Sequence, residues 1–330
     1  MTPDGTLVIQ TAFLGDVVLT TPLLTSVAAK HGPVDVLVRP EAVPLVETLP
    51  SVREAISYDK RGRDSGVAAW LQLAKRLASR HYRRAYLPHR SFRSAALARW
   101  ARIPERIGFE DAPSAWLYTK AVPRPRGLHE SERLLALAGP RPLVPPPIQL
   151  CLTEDDRAQA YAWLASRGIG DGFAAVAPGS VWGTKRWPGY PELVKLLRGR
   201  VVVVGGPDDA ARGQELVDVA PDRVVSAAGV LGLRVSAALL ERAGVLITND
   251  SAPLHLASAL GTPTVALFGP TVPAFGFGPK APRSAIVERT DLECRPCSDH
   301  GPERCPLGHH RCMREIPATV VRDAIHQLIE

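Results

Sequence analysis

The stretch LITNDSAPLHLASALGTPTVALFGPT, residues 246–271, reads as an apolar strand, a short helix and a second apolar strand. At the first junction it places Asn249, Asp250 and Ser251, with His255 one turn into the helix. A helix between two strands is the connection that parallel strands require, and ligands on parallel sheets bind beyond the carboxyl ends of the strands. Ser251 suits the cap of that helix. Pro253 is tolerated in its first turn because the missing N–H would have been unpaired there anyway. The remaining N–H groups, beside the positive end of the helix dipole, make a seat for a diphosphate. Asp250 would repel a phosphate, so it is read as a cap, an orienting group or an acceptor from sugar hydroxyls. His255 either bonds a phosphate oxygen or satisfies the interior.

The same alternation runs through the chain. TLVIQTA, VDVLV, EAISYD and RAYLP read as strands separated by helical segments. After the proline-rich residues 140–147 the pattern restarts with FAAVAP, RVVVVGG, RVVSAAG, AGVLITND and TPTVALFGP. A proline run is stiff and extended and joins neither core well. It marks a boundary between domains expected at 1–150 and 151–330. Each half is an α/β unit with a parallel sheet covered on both faces.

Composition fits this plan. The 330 residues suit two domains of ordinary size, and 45% hydrophobic with 22% charged residues is ordinary globular usage. No apolar run reaches the roughly 18 residues that span a bilayer. The N-terminus enters a strand directly, without a secretory signal pattern, so a cytoplasmic location is expected. A formal charge of +7 suits an anionic partner. The arginine-rich residues 75–109 lack a recognition-helix or stacking signature, which favours solvated helix faces over a nucleic-acid surface.

Two more loops that leave strands carry unusual chemistry. In QTAFLGDVVLTTP, Gly15 permits a tight turn and Asp16 sits where a helix would begin, where it also reads as an N-cap accepting backbone N–H groups. Pro22 with Thr21 as its cap can open the helix, which would leave Asp16 in a loop. The spacing lacks the glycines of a dinucleotide fingerprint, which disfavours an oxidoreductase. In APGSVWGTKRWPGYPEL, Gly179, Ser180 and Gly183 allow close approach of backbone to an anion, and Lys185 offers a point charge for phosphate. Spacing alone leaves Lys185 equally readable as a solvated side chain.

Five stretches in order, IQTAFLGDVVLTTPLL, APGSVWGTKRWP, VVVVGGPDD, TNDSAPLHLASALGTPTVALFGPT and CRPCSDHGPERCPLGHHRCMREI, resemble the heptosyltransferases of glycosyltransferase family 9. The resemblance implies a GT-B fold, two Rossmann-like doubly wound domains facing a central cleft. It implies inverting transfer from ADP-heptose to a lipopolysaccharide inner-core acceptor, with the acceptor on the N-terminal domain and the donor on the C-terminal one. Carried over, Gly15 and Asp16 form the acceptor side, and Asp16 is the general base. Gly179, Ser180, Lys185, Asp250, Ser251, Ala252, Leu254 and His255 hold the donor, Lys185 also supporting catalysis. Many members have glycine where this chain has Ala252, and an acid on the donor falls at Asp208 or Asp209. The implied transfer needs no bound metal. The implied partners are the nucleotide sugar, a lipid-linked core glycan and peripherally the inner membrane surface, with no nucleic acid. The final helix, 317–329, is expected to pack back on the N-terminal domain. Another nucleotide sugar or acceptor, a GT-B epimerase, and a non-catalytic nucleotide-sugar or glycan-binding protein on the same fold are the alternatives. A binder would have no use for Asp16.

Cys294, Cys297, Cys305 and Cys312, with His300, His309 and His310 among them, form a loop of C-x2-C-x7-C-x6-C spacing, while Cys151 stands apart. Zinc, disulfides and free thiols are all open for this cluster, with structural zinc ahead in a reducing compartment. In each case it reads as a loop staple.

Overall fold

The computed structural model describes residues 5–60 and 62–329. The chain divides into two compact units, Met1–Cys151 and Leu152–Glu330. In the first, the strands are β1 (Thr6–Gln10), β2 (Val34–Val38), β3 (Val52–Ser57), β4 (Arg84–Leu87), β5 (Glu105–Phe109) and β6 (Lys120–Val122). Its helices are α1 (Leu14–His31), α2 (Val43–Val46), α3 (Gly66–Ala78), α4 (Phe92–Trp100) and α5 (Glu130–Leu135). The second unit has β7 (Ala174–Ala177), β8 (Val201–Val203), β9 (Val224–Ser226), β10 (Val245–Asn249), β11 (Thr264–Phe268) and β12 (Ser284–Glu288). Its helices are α6 (Glu154–Ala165), α7 (Tyr190–Leu196), α8 (Ala210–Val219), α9 (Leu233–Arg242), α10 (Ala252–Leu260), α11 (Arg311–Arg314) and α12 (Ala318–Ile329).

Both sheets are wholly parallel and share one topology. The strand orders are β3-β2-β1-β4-β5-β6 and β12-β11-β10-β7-β8-β9, and each is the doubly wound order. The chain reverses direction across the sheet between β1 and β4 in one unit and between β7 and β10 in the other. Right-handed crossovers then send helices to opposite faces on either side of the reversal. In the first unit α1 packs with α2 and α5, and α3 packs with α4. In the second α9 packs with α6 and α10, and α7 packs with α8 and α12. The central strands β1, β2, β10 and β11 are buried along their whole length, as strands covered on both faces must be. Val321 and Ile325 carry α12 into the core of the second unit.

Helix α1 begins at Leu14 and runs through Pro22, so the expected start at Pro22 with Asp16 in a loop is corrected. The reason is local. A proline at position 22 leaves the Val18 carbonyl without its helical donor, and the Thr21 hydroxyl supplies one, Oγ1 to O at 2.8 Å. Gly15 is therefore a buried residue of the first helical turn and not of a tight turn before it. Helix α10 ends as its sequence suggests, at Gly261 in the left-handed conformation, φ 74°, with its N–H on the Ala257 carbonyl.

At the amino ends of the first sheet Asp35, fully buried, accepts from Arg53 Nε and Nη2 at 2.8 Å each, from Tyr82 Oη at 2.5 Å and from Arg80 Nη1 at 3.2 Å. Arg80 also grips Glu54, and Arg84 pairs with Glu105. Arg80 and Arg84 of the arginine-rich residues 75–109 are thus held in ion pairs at strand ends, where the sequence suggested solvated helix faces. Burial opposes the charge of Asp35, but the bonds from Arg53 and Tyr82 and the nearby arginine charges together outweigh it, and its pKa lies below the ordinary 3.8. An acid whose pKa falls on folding stabilises above its unfolded pKa, and the contribution disappears as pH drops through the folded value. Asp35→Asn is therefore expected to cost about 2–4 kcal/mol at neutral pH, the two guanidinium partners being half-exposed. The gap from wild type should narrow as pH falls below the ordinary 3.8 and through the lowered folded value. Urea melts across that range check it, and a pH-independent gap would remove the ionic part of the argument.

Candidate active site

The polar residues of the quoted stretch do separate jobs at the reversal point of the second sheet. Asn249, fully buried at the end of β10, donates through Nδ2 to the carbonyls of Pro178 (2.9 Å) and Gly179 (3.2 Å). Its Oδ1 accepts from Trp187 N and Tyr190 Oη, both at 3.2 Å. One amide thereby ties the loop after β7 to the end of β10 and holds both in fixed register.

Asp250, next in the chain, takes Lys185 Nζ at 2.6 Å and Thr271 Oγ1 at 2.7 Å on the same oxygen, Oδ2. The lysine and aspartate side chains are 11% and 8% exposed, so Lys185 is not a solvated residue but half of a nearly buried pair. A short, charge-assisted contact of this kind fixes the ammonium in place. Asp250 is thus an orienting group, one of the roles open to it in the sequence.

Ser251 occupies the N-cap of α10, but its hydroxyl turns back to the Asn249 carbonyl, 3.3 Å, and does not cap. The cause is composition: the second helical residue is Pro253, which has no N–H, and Leu254 N already bonds Ser251 O at 3.1 Å. Leu254 packs its side chain against Ala266 and Phe268, so it belongs to the core and not to the helix mouth. Ser251 and Ala252, both half-exposed, form that mouth. His255 is buried, with its ring edge-on to Phe277 at 6.4 Å.

Gly179 and Ser180 continue the site. A Cβ at Gly179 would lie 2.0 Å from Asp209 Oδ1, so the glycine is required by the packed carboxylate of Asp209 as much as by any ligand. Ser180 holds its own loop, accepting Trp182 N on Oγ at 3.3 Å and Arg186 Nε on its carbonyl at 2.9 Å. The pair Asp208 and Asp209 separates here. Asp208 is exposed, while Asp209 sits against Gly179 and Gly205, and burial raises its pKa despite the Gly206 N–H and the charges of Arg212 and Arg186.

In the first unit the reversal point carries its own group. Asp16 is the third residue of α1 and accepts Phe13 N on Oδ2 at 3.1 Å. Gln10, at the end of β1, donates to Thr20 Oγ1, which in turn donates to the Asp16 carbonyl. His89, beyond β4, bonds the Ile9 carbonyl through Nδ1 at 3.1 Å, so that nitrogen carries the proton. Nε2 then accepts from Thr11 or Ser94, 3.3 and 3.1 Å away. Burial and the charge of Lys60 push its pKa down to about 4 against the Ile9 bond, and the imidazole stays neutral. Lys60 Nζ reaches the Thr11 carbonyl at 2.7 Å. The sequence reading passed over Thr271, Lys60 and His89. Each lies at or just beyond a strand end, and all three strands were recognised.

The zinc expectation finds no site. Among the described residues no three His, Cys, Asp or Glu side chains are grouped to hold a metal ion, and Cys151, Cys294, Cys297, Cys305 and Cys312 are all free thiols. Cys312 is buried with the core of the second unit, and burial and then the neighbouring thiols push its pKa up to about 11. Cys297 Sγ donates to the Cys294 carbonyl.

Two wholly parallel, doubly wound six-stranded units are the architecture shared with solved GT-B heptosyltransferases. The model of glycosyltransferase family 9 (heptosyltransferase) matches residues 70–305, and the chain belongs to that family. It is 29% identical over 298 residues to lipopolysaccharide heptosyltransferase 2 of Salmonella typhimurium, covering 82% of this chain and 84% of that protein. The structure of ADP-heptose LPS heptosyltransferase II of E. coli matches with a TM-score of 0.81 at 24% identity, over 98% of both chains. A family 9 glycosyl transferase from Veillonella parvula matches with a TM-score of 0.86 at 23% identity, over 100% of this chain and 98% of that one.

Proposed function

We propose that this chain is an inverting glycosyltransferase that moves a heptose from ADP-heptose to a lipopolysaccharide inner-core acceptor. The observation that carries the reading is the Lys185–Asp250–Thr271 group beside the mouth of α10, at the reversal point of a doubly wound sheet. A fixed ammonium and a helix N-terminus suit a leaving diphosphate, on which negative charge grows as the glycosidic bond breaks. The names of the relatives, heptosyltransferases acting in lipopolysaccharide assembly, support the choice of sugar and acceptor.

In this reading the second unit binds the donor. Gly179, Ser180, Ser251 and Ala252 bring backbone to the diphosphate, Lys185 neutralises it, His255 lies behind the helix mouth, and Asp209 stands on the sugar side in preference to Asp208. The first unit binds the acceptor, with Gly15 allowing close approach and Asp16 removing the proton of the attacking hydroxyl. Inversion follows from attack on the anomeric carbon opposite the leaving group, as in inverting glycosidases. Among the described residues no helix is long and apolar enough to cross a membrane. A lipid-anchored acceptor then calls for peripheral contact at the cytoplasmic face of the inner membrane.

Mass spectrometry of products from ADP-heptose and from UDP-sugars, each offered with truncated lipid A core acceptors, tests the proposal. A heptose added from ADP-heptose alone is the expected result. Transfer from a UDP-sugar would change the donor, epimerised donor without acceptor would change the reaction, and donor binding with no product would make the chain a binding protein.

A further inference from the structure

Lys185 is the last residue of a short turn whose preceding residues are gripped by the cysteine-rich loop. Thr184 donates through both N (3.3 Å) and Oγ1 to the Pro302 carbonyl. Gly183 N donates to Glu303 Oε2 at 3.0 Å, and Trp182 stacks on His300 with the ring planes 7° apart. Gly301, at φ 78°, backs onto the turn so closely that a Cβ there would lie 3.3 Å from Thr184 Oγ1 and 3.5 Å from Lys185 Cε. The same loop holds the other side of the donor group: Cys297 N bonds the Pro270 carbonyl at 2.9 Å, and Arg295 Nη2 bonds that of Thr271 at 2.9 Å.

His310 completes the grip. Its Nε2 lies 2.7 Å from the Thr184 carbonyl, an acceptor only, so Nε2 carries the proton and donates. To reach it the residue adopts φ 50°, ψ 31°, the left-handed region that side chains other than glycine rarely occupy. Such a conformation persists where the surrounding contacts dictate it, and it clusters at functional sites. Here its N–H is also placed on Cys305 Sγ at 3.4 Å.

We infer that the 294–312 loop is a clamp that sets Lys185 in the donor site, and that His310 is its positioning residue. The inference rests on the donor reading given above for Lys185. It assigns the cysteine-rich loop a part in donor affinity without any chemistry at the thiols. Fixing the carbonyl of Thr184 fixes the peptide that carries Lys185. The ammonium is then presented to the diphosphate and Asp250 in one orientation, without an ordering cost at binding.

Two variants separate this role from a merely structural one. His310→Gln keeps an N–H where Nε2 stands. His310→Asn is at least as comfortable in the left-handed region but too short to reach Thr184. Hydrogen exchange of residues 183–185 and calorimetric titration with ADP are compared in wild type and both variants. The expected result is wild-type protection and affinity in the glutamine variant. In the asparagine variant exchange should be faster and ADP affinity about 3- to 10-fold lower, the loss of one hydrogen bond. Equal protection in the two variants, or an asparagine variant that matches wild type, overturns the clamp and leaves His310 a backbone device. Wild-type protein that binds no ADP would sink the donor reading instead, while the exchange comparison would still decide the clamp.

Discussion

Asp16→Asn is expected to lower kcat by about 100- to 10,000-fold, the usual range for removing a general base. ADP affinity and melting temperature should stay near wild type. The substitution isolates chemistry from structure because of where the residue sits. Asp16 is the third residue of α1, and it accepts the Phe13 N–H on Oδ2 at 3.1 Å. An asparagine carbonyl can accept that bond, and loss of one negative charge in a first helical turn costs only about 0.3–1 kcal/mol. Helix geometry is therefore retained while the capacity to take a proton is lost. Single-turnover transfer, ADP calorimetry and thermal melts on the same preparation check it. Transfer at near wild-type rate, or a loss that only tracks a lowered melting temperature, makes Asp16 a helix-terminus residue and ends the catalytic assignment.

That residue also shows what the sequence conceals. The strand β1 and the presence of an acid just after it were legible from the apolar run and the Gly-Asp pair. The helix start was not, because Pro22 is a strong local stop signal and its compensation by the Thr21 hydroxyl is a matter of side-chain geometry. Strands β5, β6 and β12 escaped for a related reason. They are three to five residues long, lie at or next to sheet edges, and are partly exposed, so the continuous apolar run that identifies a buried parallel strand is missing. At the donor site the start of α10 was readable because proline placement is a local rule, although the Ser251 hydroxyl turns back to Asn249 and does not cap. The role of Asp250 was not, since its partner Lys185 stands 65 residues away and the pairing depends on two loops meeting at the β7–β10 reversal. The grip of residues 294–312 on the Lys185 turn is longer in range still, and the four cysteines drew the reading to zinc, disulfides or free thiols, with zinc ahead only because of the expected compartment.

The Lys185–Asp250 pair makes the second large prediction. Lys185→Ala is expected to weaken ADP binding by about 2–4 kcal/mol, roughly 30- to 1,000-fold. More than one contact is at stake. The ammonium and the carboxylate are both nearly buried, and Asp250 Oδ2 already serves Thr271. Truncating the lysine removes the cation for the diphosphate and leaves a carboxylate unbalanced where that diphosphate is proposed to sit, so attraction turns to repulsion. A buried charge without its partner also costs stability, and the melting temperature should fall. Adding Asp250→Asn to the lysine variant takes away the stranded charge. The double variant should therefore regain both melting temperature and part of the ADP affinity, binding more tightly than Lys185→Ala alone and less tightly than wild type. Asp250→Asn alone should keep ADP binding while slowing transfer, because the ammonium remains but its charge-assisted contact is reduced to a bond with a neutral amide oxygen, which orients it less firmly. The pair could instead be an internal strut with no ligand. The double variant would then restore the melting temperature in the same way, but calorimetry would find ADP affinity unchanged in all four proteins, and Lys185 would leave the donor site.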